Sequence, residues 1–334
     1  MKIYLHHFKI IFAVVLGLLF FPLSAQAAND KIAICKINYP GDSQEAKDKR
    51  YACFSDAENP PPSNFHLDWL WPAHDDNTGI VAYKQSYLLI NQTDIPNQAP
   101  TSPNVKNQAT PNYPYEQQEA KFQFSLKSQY PHYNWMGESN SVWFGYTQQS
   151  HWQVLNGPNS RPFRENNFEP EPLIISHQFE RRQDDTGLSP RFLNFGVVHQ
   201  SNGQSLPFSR SWNRVYLQLG LEKRLGADSN IAVTIRPWVR IQEDSATDDN
   251  PDIEDYLGHG DLELLYWNSN VMVTALLRSR SQQFDFSWSR EKKSLHWHLQ
   301  LFNGYGESLI DYNQQHSVIG VGISLPYDLD ANSK

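Results

Sequence analysis

From about residue 79 the chain alternates apolar and polar side chains in short segments. The clearest is Asn230–Gln242, where Ile231, Val233, Ile235, Val239 and Ile241 share one face and Thr234, Arg236, Arg240 and Gln242 the other. Successive side chains of a strand point to opposite faces, so a period of two predicts a strand. Phe284, Phe286 and Trp288 alternate with Gln283, Asp285 and Ser287, and Phe122, Phe124 and Leu126 with Lys121, Gln123 and Lys127. Twelve such segments are predicted: Ile80–Leu89, Lys121–Lys127, Ser141–Gln149, Glu171–Phe179, Arg191–Ser201, Asn213–Glu222, Asn230–Gln242, Asp261–Trp267, Val271–Arg278, Gln283–Ser289, Leu295–Phe302 and Ser317–Leu325.

Periodicity alone does not say what the apolar face meets, because a soluble sandwich and a membrane barrel share it. The beginning of the chain changes the picture. Lys2 and Lys9 precede an apolar run, Ile10–Phe21, and Ala25-Gln26-Ala27 follows as an A-x-A site. This pattern predicts a secretory signal peptide over residues 1–27. An exported chain with 13% aromatic residues, a mean hydropathy of -0.61 and repeated alternation fits an all-β fold. The specific expectation is a twelve-stranded antiparallel transmembrane β-barrel in the bacterial outer membrane, occupying residues 79–334.

Residues 28–78, with charges and the run Pro60-Pro61-Pro62, read as a periplasmic extension of little regular structure. Its Cys35 and Cys53 suit a disulfide in an exported protein. Loss of Lys2 and Lys9 with the signal would take the formal charge from -8 to -10, which argues against nucleic-acid binding. Connections alternate between short and long. Asn268–Asn270 and Arg280–Ser281 read as tight turns, and Glu243–Gly258 as a long acidic loop. Long loops are expected outside the cell and short turns in the periplasm.

One stretch departs from apolar alternation. Leu193, Phe195, Val197, His199 and Ser201 share a face, and Asn213, Val215, Leu217, Leu219 and Leu221 share a face of the next strand. An antiparallel hairpin of these strands sets His199 opposite Asn213. A base, a hydroxyl and an amide then meet on an outward apolar face, a Ser-His-Asn hydrolytic arrangement. An isolated His-x-Ser pair carries little weight, but polar groups in membrane-facing positions are functional candidates. His296 and His298 form a similar pair on a polar face and read as interior hydrogen-bonding groups. The alternative function is a passive porin or structural barrel, against which the bulky Arg236, Trp238 and Arg240 predict a filled lumen. A soluble lipase would need a G-x-S-x-G elbow, which HQSNG does not supply.

Several longer blocks carry a resemblance. They are YTQQSHWQ at Tyr146–Gln153, RPFRENNFEP at Arg161–Pro170, HQSNG at His199–Gly203, SRSWNR at Ser209–Arg214, TDDNPDI at Thr247–Ile253 and GYGESLIDYN at Gly304–Asn313. The chain resembles the outer-membrane phospholipase A family over most of residues 79–325. That resemblance implies a Ca²⁺-dependent enzyme hydrolysing acyl esters of phospholipids and lysophospholipids, with its site on the lipid-facing wall and activation as a homodimer.

The resemblance also implies residue roles. His199 matches the base, Ser201 the nucleophile, Asn213 the orienting residue and Gly203 an oxyanion-binding backbone N–H. Gln204, through its carbonyl, and Ser209, through its hydroxyl, match calcium ligands, and Asp249 matches a carboxylate linked to a calcium site. The family usually has Arg at Gln204, an acidic residue at Leu206, and Ser where this chain has Arg161 preceded by Ser160. Arg161 thus occupies the position of the ligand supplied across the dimer. Gln148 matches a polar residue of the dimer interface. The C-terminus, Asp330–Lys334, departs from the terminal aromatic residue of the family.

Overall fold

The computed structural model describes residues 67, 70–71, 79–109, 114–130, 139–179, 187–225, 229–268, 270–290 and 294–325. The predicted signal peptide, Cys35, Cys53 and the C-terminal residues lie outside the described residues. The barrel belongs to one compact unit, His66–Glu180 with Pro190–Lys334.

The strands are β1 (Ile80–Ala82), β2 (Tyr87–Thr93), β3 (Gln118–Gln129), β4 (Asn140–Trp152), β5 (Phe163–Gln178), β6 (Ser189–Ser201), β7 (Ser211–Arg224), β8 (Ser229–Ile241), β9 (Gly260–Asn268), β10 (Val271–Arg278), β11 (Ser281–Trp288), β12 (His296–Tyr305) and β13 (Gln315–Ser324). A five-residue helix, α1 (Ile253–Leu257), interrupts the loop after β8. Sequential strands pair antiparallel, and β13 closes on β2. β1 and β2 both pair with β3, so they are two pieces of one strand. The result is a closed twelve-stranded antiparallel barrel.

The predicted first strand, Ile80–Leu89, is therefore broken, and its second piece runs on to Thr93. Ile80 pairs with Ser128 while Tyr87 pairs with Gln123, a register shift of two residues. Side chains replace the missing ladder. Ser125 Oγ accepts from the Lys84 N–H at 3.1 Å, and Ser86 Oγ from the Ser125 N–H at 3.2 Å. The bulge frees Lys84 to reach Glu169 at 2.5 Å.

Burial is inverted relative to a water-soluble protein. Val239 is 66% exposed and Trp297 64%, whereas Arg191, Lys121 and Lys127 are 1% exposed. An apolar exterior around a polar interior excludes the soluble sandwich. Buried charges need partners. Arg164 bonds both oxygens of Glu119, at 2.8 and 2.7 Å, and pairs with Asp311. Arg236 pairs with Asp261 at 2.7 Å, and Lys121 with Glu307 at 3.3 Å. His298 is buried between Ser287 and Asp285, at 2.8 and 3.0 Å, in the interior role expected of it. The lumen is filled, with a polar cavity of about 230 Å³ lined by residues such as Lys84, Arg214, Arg236 and Glu263.

Two further expectations need correction. Leu67, Leu70 and Trp71 were expected in an irregular extension. Leu67 and Leu70 are helical, and Leu67 and Trp71 are buried in a cluster with Tyr83, Trp143, Ile174, Phe192 and Ala232. Their apolar side chains find there the dry environment that an extension in water would lack. The tight turn after β10 also lies at the same end as the long loops, not at the opposite end. There α1 leans over it, with the Cα of Gly258 so near Ser279 that an added Cβ would lie 2.7 Å from the Ser279 Cβ.

The loops at that end fold over the lumen. Ile253 and Leu257 of α1 join Leu309 and Tyr312 against Val198, Trp212, Tyr216 and Trp238. Arg240 holds the loop after β8 from below, bonding Asp248 at 2.7 Å and the Asn250 carbonyl at 3.3 Å.

Candidate active site

β6 delivers His199 and Ser201 to its outward face at the loop end, and β7 carries Asn213 there, two residues from its start. His199 Nδ1 lies 2.7 Å from Asn213 Oδ1. An amide oxygen can only accept, so in this contact Nδ1 donates and Nε2 is the ring nitrogen left outside it. The other side of the amide is also fixed: Asn213 Nδ2 donates to Glu243 Oε1 at 3.1 Å. Ser201 is two residues beyond His199 on the same face and pairs across the sheet with Phe168. All three side chains are half-buried, bordered by the exposed Phe195 and Ile241.

The loop from Asn202 to Arg210 is tied by the buried Asn202. Its Oδ1 accepts from the N–H groups of Gln204, at 3.3 Å, and Arg210, at 3.0 Å. Its Nδ2 donates to the Phe208 carbonyl at 2.8 Å. Gly203 turns the chain at φ +65°, and a Cβ there would stand 3.0 Å from the Phe168 ring. Both conformation and space require glycine.

A second cluster lies beside the first. Ser209 Oγ donates to Asp249 Oδ2 at 2.6 Å. Asn107 Nδ2 donates to the Ser209 carbonyl at 2.8 Å and to Asp249 Oδ1 at 3.1 Å. Asn107 is fully buried, and its Oδ1 is an acceptor without a partner among the described residues. Beneath it, the buried Arg210 guanidinium donates to the carbonyls of Ser209, at 2.7 Å, and Asn107, at 3.2 Å. Burial lowers the Arg210 pKa from its ordinary value.

The structure brings His199, Asn213 and Glu243 together, and separately Ser209, Asp249 and Asn107. It does not bond Gln204 or Arg161 to the second cluster. The Gln204 amide turns to Glu165, at 3.1 Å, and to the Arg164 carbonyl, at 3.3 Å. Arg161 lies in the loop after β4 at φ 51°, its carbonyl accepting from Trp152 Nε1 at 3.0 Å. Sequence reasoning missed Glu243, Phe168 and Asn107 as site neighbours. Glu243 carried a signal: it lies two residues past Ile241, the cross-strand partner of Asn213, and so shares its face.

The Glu243 carboxyl is pushed above its ordinary value. Burial is the largest cause, and Asp248 and Asp249 add to it, while Arg240 and the bond from Asn213 oppose it.

The phospholipase A1 family model matches residues 71–325. The chain belongs to the phospholipase A1 family. It is a β-barrel phospholipase of the bacterial outer membrane. A Neisseria meningitidis serogroup B protein described as a phospholipase A1 is 37% identical over 265 residues, which span 75% of this chain and 66% of that protein. The Escherichia coli K12 phospholipase A1 is 34% identical, over 75% of this phospholipase and 83% of its own length. The solved outer membrane phospholipase A from Escherichia coli superposes with a TM-score of 0.64 at 32% identity, covering 74% of this chain and 98% of that one. The Salmonella typhi outer membrane phospholipase dimer with bound calcium gives a TM-score of 0.63 at 31% identity, covering 75% of this chain and 94% of that one.

Proposed function

We propose that this phospholipase hydrolyses acyl ester bonds of phospholipids and lysophospholipids at Ser201, with His199 as base and Asn213 as its orienting partner. The observation that carries this reading is the 2.7 Å contact of His199 Nδ1 with Asn213 Oδ1 on the outward face. A serine hydroxyl is a weak nucleophile without a neighbouring base. As Ser201 Oγ bonds to the ester carbonyl carbon, its proton passes to His199 Nε2. The carbonyl oxygen becomes an oxyanion, toward which the Gly203 N–H is the candidate donor. His199 then gives its proton to the departing glycerol oxygen, leaving an acyl-serine. Water repeats the sequence, with its proton taken by His199 and returned to Ser201 as the fatty acid leaves.

The residues present fit calcium. Ser209 and Asp249 offer hydroxyl and carboxylate oxygens at 2.6 Å from one another, and the buried Asn107 has an Oδ1 without a partner among the described residues. Oxygen donors with one carboxylate suit a hard divalent cation completed by water. Ser209 and Asp249 would hold it, with the Gln204 carbonyl as a further donor. When bound, calcium supplies positive charge beside the developing oxyanion. Arg161 is the least suited of the predicted ligands, since its carbonyl already accepts from Trp152.

The active form is a homodimer formed through the outward face around Gln148 and Leu193–Val197. Leu193 and Phe195 are exposed there, and the Gln148 side chain bonds within its own strand, to Tyr146 at 3.0 Å and Ser150 at 3.1 Å. A two-fold pair would build two sites at one interface. The test is phospholipid hydrolysis in detergent micelles with calcium or EDTA, with crosslinking in parallel. Hydrolysis by Ser201→Ala near the wild-type rate refutes the nucleophile. Full activity from a monomeric sample in EDTA refutes the calcium-linked dimer.

A further inference from the structure

We infer that Glu243 is a positioning residue for this chemistry: its carboxylate orients the Asn213 amide and supplies the negative charge that an amide lacks. The inference rests on the reading of Ser201, His199 and Asn213 as the hydrolytic group.

An Asn amide is nearly symmetric in shape but opposite in polarity at its two ends. Flipped, Asn213 would present an N–H to His199 Nδ1. The neutral ring would then carry its proton on Nε2, where it could not accept one from Ser201. A second partner that only accepts forbids the flip. Glu243 is such a partner, 3.1 Å from Asn213 Nδ2, while Asn213 Oδ1 stands 2.7 Å from His199.

The backbone builds this arrangement. Asn213 pairs with Ile241, and Glu243 follows two residues later on the same outward side. The charged groups around Glu243 are Arg240 on β8 and Asp248 and Asp249 in the loop that follows. Arg240 is committed to Asp248 at 2.7 Å. Among the described residues no cation is bonded to Glu243, so its charge is directed at the amide. A hydrogen bond to an ionised acceptor is stronger than a neutral one and polarises the amide, making Oδ1 a better acceptor. His199, Asn213 and Glu243 then form a relay of contacts, not of protons. The imidazolium formed during catalysis has a carboxylate one amide away.

The experiment uses the full chain in micelles at saturating calcium, comparing wild type with Glu243→Gln, Glu243→Ala, Asn213→Asp, the double variant Asn213→Asp with Glu243→Gln, and Ser201→Ala. Electrophoretic mobility before and after heating reports folding. For Glu243→Gln we expect kcat to fall about tenfold with KM unchanged. The acid limb of kcat/KM should move to lower pH, because a less stabilised imidazolium loses its proton more readily. Asn213→Asp alone sets two carboxylates against each other and should be poorly active, and adding Glu243→Gln should restore activity. Wild-type kcat and pH profile in Glu243→Gln, with Ser201→Ala inactive, overturns the inference and leaves the catalytic reading standing. Equal loss in Glu243→Gln and Glu243→Ala, with no shift of the acid limb and no rescue in the double variant, also overturns it by assigning Glu243 a structural role. Activity in Ser201→Ala instead sinks the underlying reading.

Discussion

Ser209 and Asp249, forty residues apart, meet with the Ser209 hydroxyl donating to Asp249 Oδ2 at 2.6 Å. The contact joins the short loop after β6 to the long loop after β8. Arg240 holds Asp248 from inside the barrel, and Asn104 and Asn107 bond the Asp248 carbonyl and the Asp249 carboxylate, so that the long loop stays low enough for it. Removing either oxygen should weaken a hard cation held there. Ser209→Ala and Asp249→Asn are expected to raise the calcium concentration for half-maximal activity by roughly tenfold or more. A calcium titration of hydrolysis checks this, and an unchanged midpoint would place the metal elsewhere.

Ser201→Ala and His199→Ala should each lower kcat by about a thousandfold or more, since in the proposed reaction one removes the bond-forming atom and the other its base. Asn213→Ala should be milder, because it removes orientation only. Hydrolysis rates on folded protein decide the order of severity.

Gly203→Ala should impair both turn and chemistry. A side chain at positive φ costs about 1–2 kcal/mol, and the new Cβ would press on Phe168. Activity should fall further than thermal stability if Gly203 carries the oxyanion donor. Loss of stability with kcat intact would remove that role.

Inside the lumen, Arg164 is the sole cation that bonds both Glu119 and Asp311 among the described residues. Arg164→Met would take the guanidinium from two buried carboxylates and should destabilise the barrel by about 3–5 kcal/mol. Urea unfolding in detergent measures the loss. A midpoint equal to that of wild type would mean that water, not Arg164, compensates those charges.

Glu243 should also leave a mark on stability. Its carboxyl is raised above the ordinary value, chiefly by burial. A group that binds its proton more readily when folded stabilises the fold below its unfolded pKa, and that contribution is lost as pH rises through the folded one. Glu243→Gln should therefore raise the melting temperature at neutral to alkaline pH, with the gain fading under acid conditions. Melting curves in EDTA across pH check the sign. A gain at acid pH alone would contradict it.

The amino-acid sequence determined the twelve strands, their inward and outward faces, and the placing of His199 opposite Asn213. Those features follow from a period-two pattern that each segment carries in itself. What the pattern could not reach was decided in three dimensions. The first strand breaks because Ser86 and Ser125 take over ladder bonds across the sheet. Trp71 belongs to the barrel interior because Tyr83, Trp143 and Phe192 make room for it there. Asp249 reaches Ser209, and Glu243 reaches Asn213, because loops without periodicity settle where buried hydrogen bonds hold them. In sequence, Glu243 opens an acidic loop, and its place two residues past Ile241 is the one signal that sets it apart. Pairing of β8 with β7, which sets Ile241 beside Asn213, makes it the neighbour of the Asn213 amide.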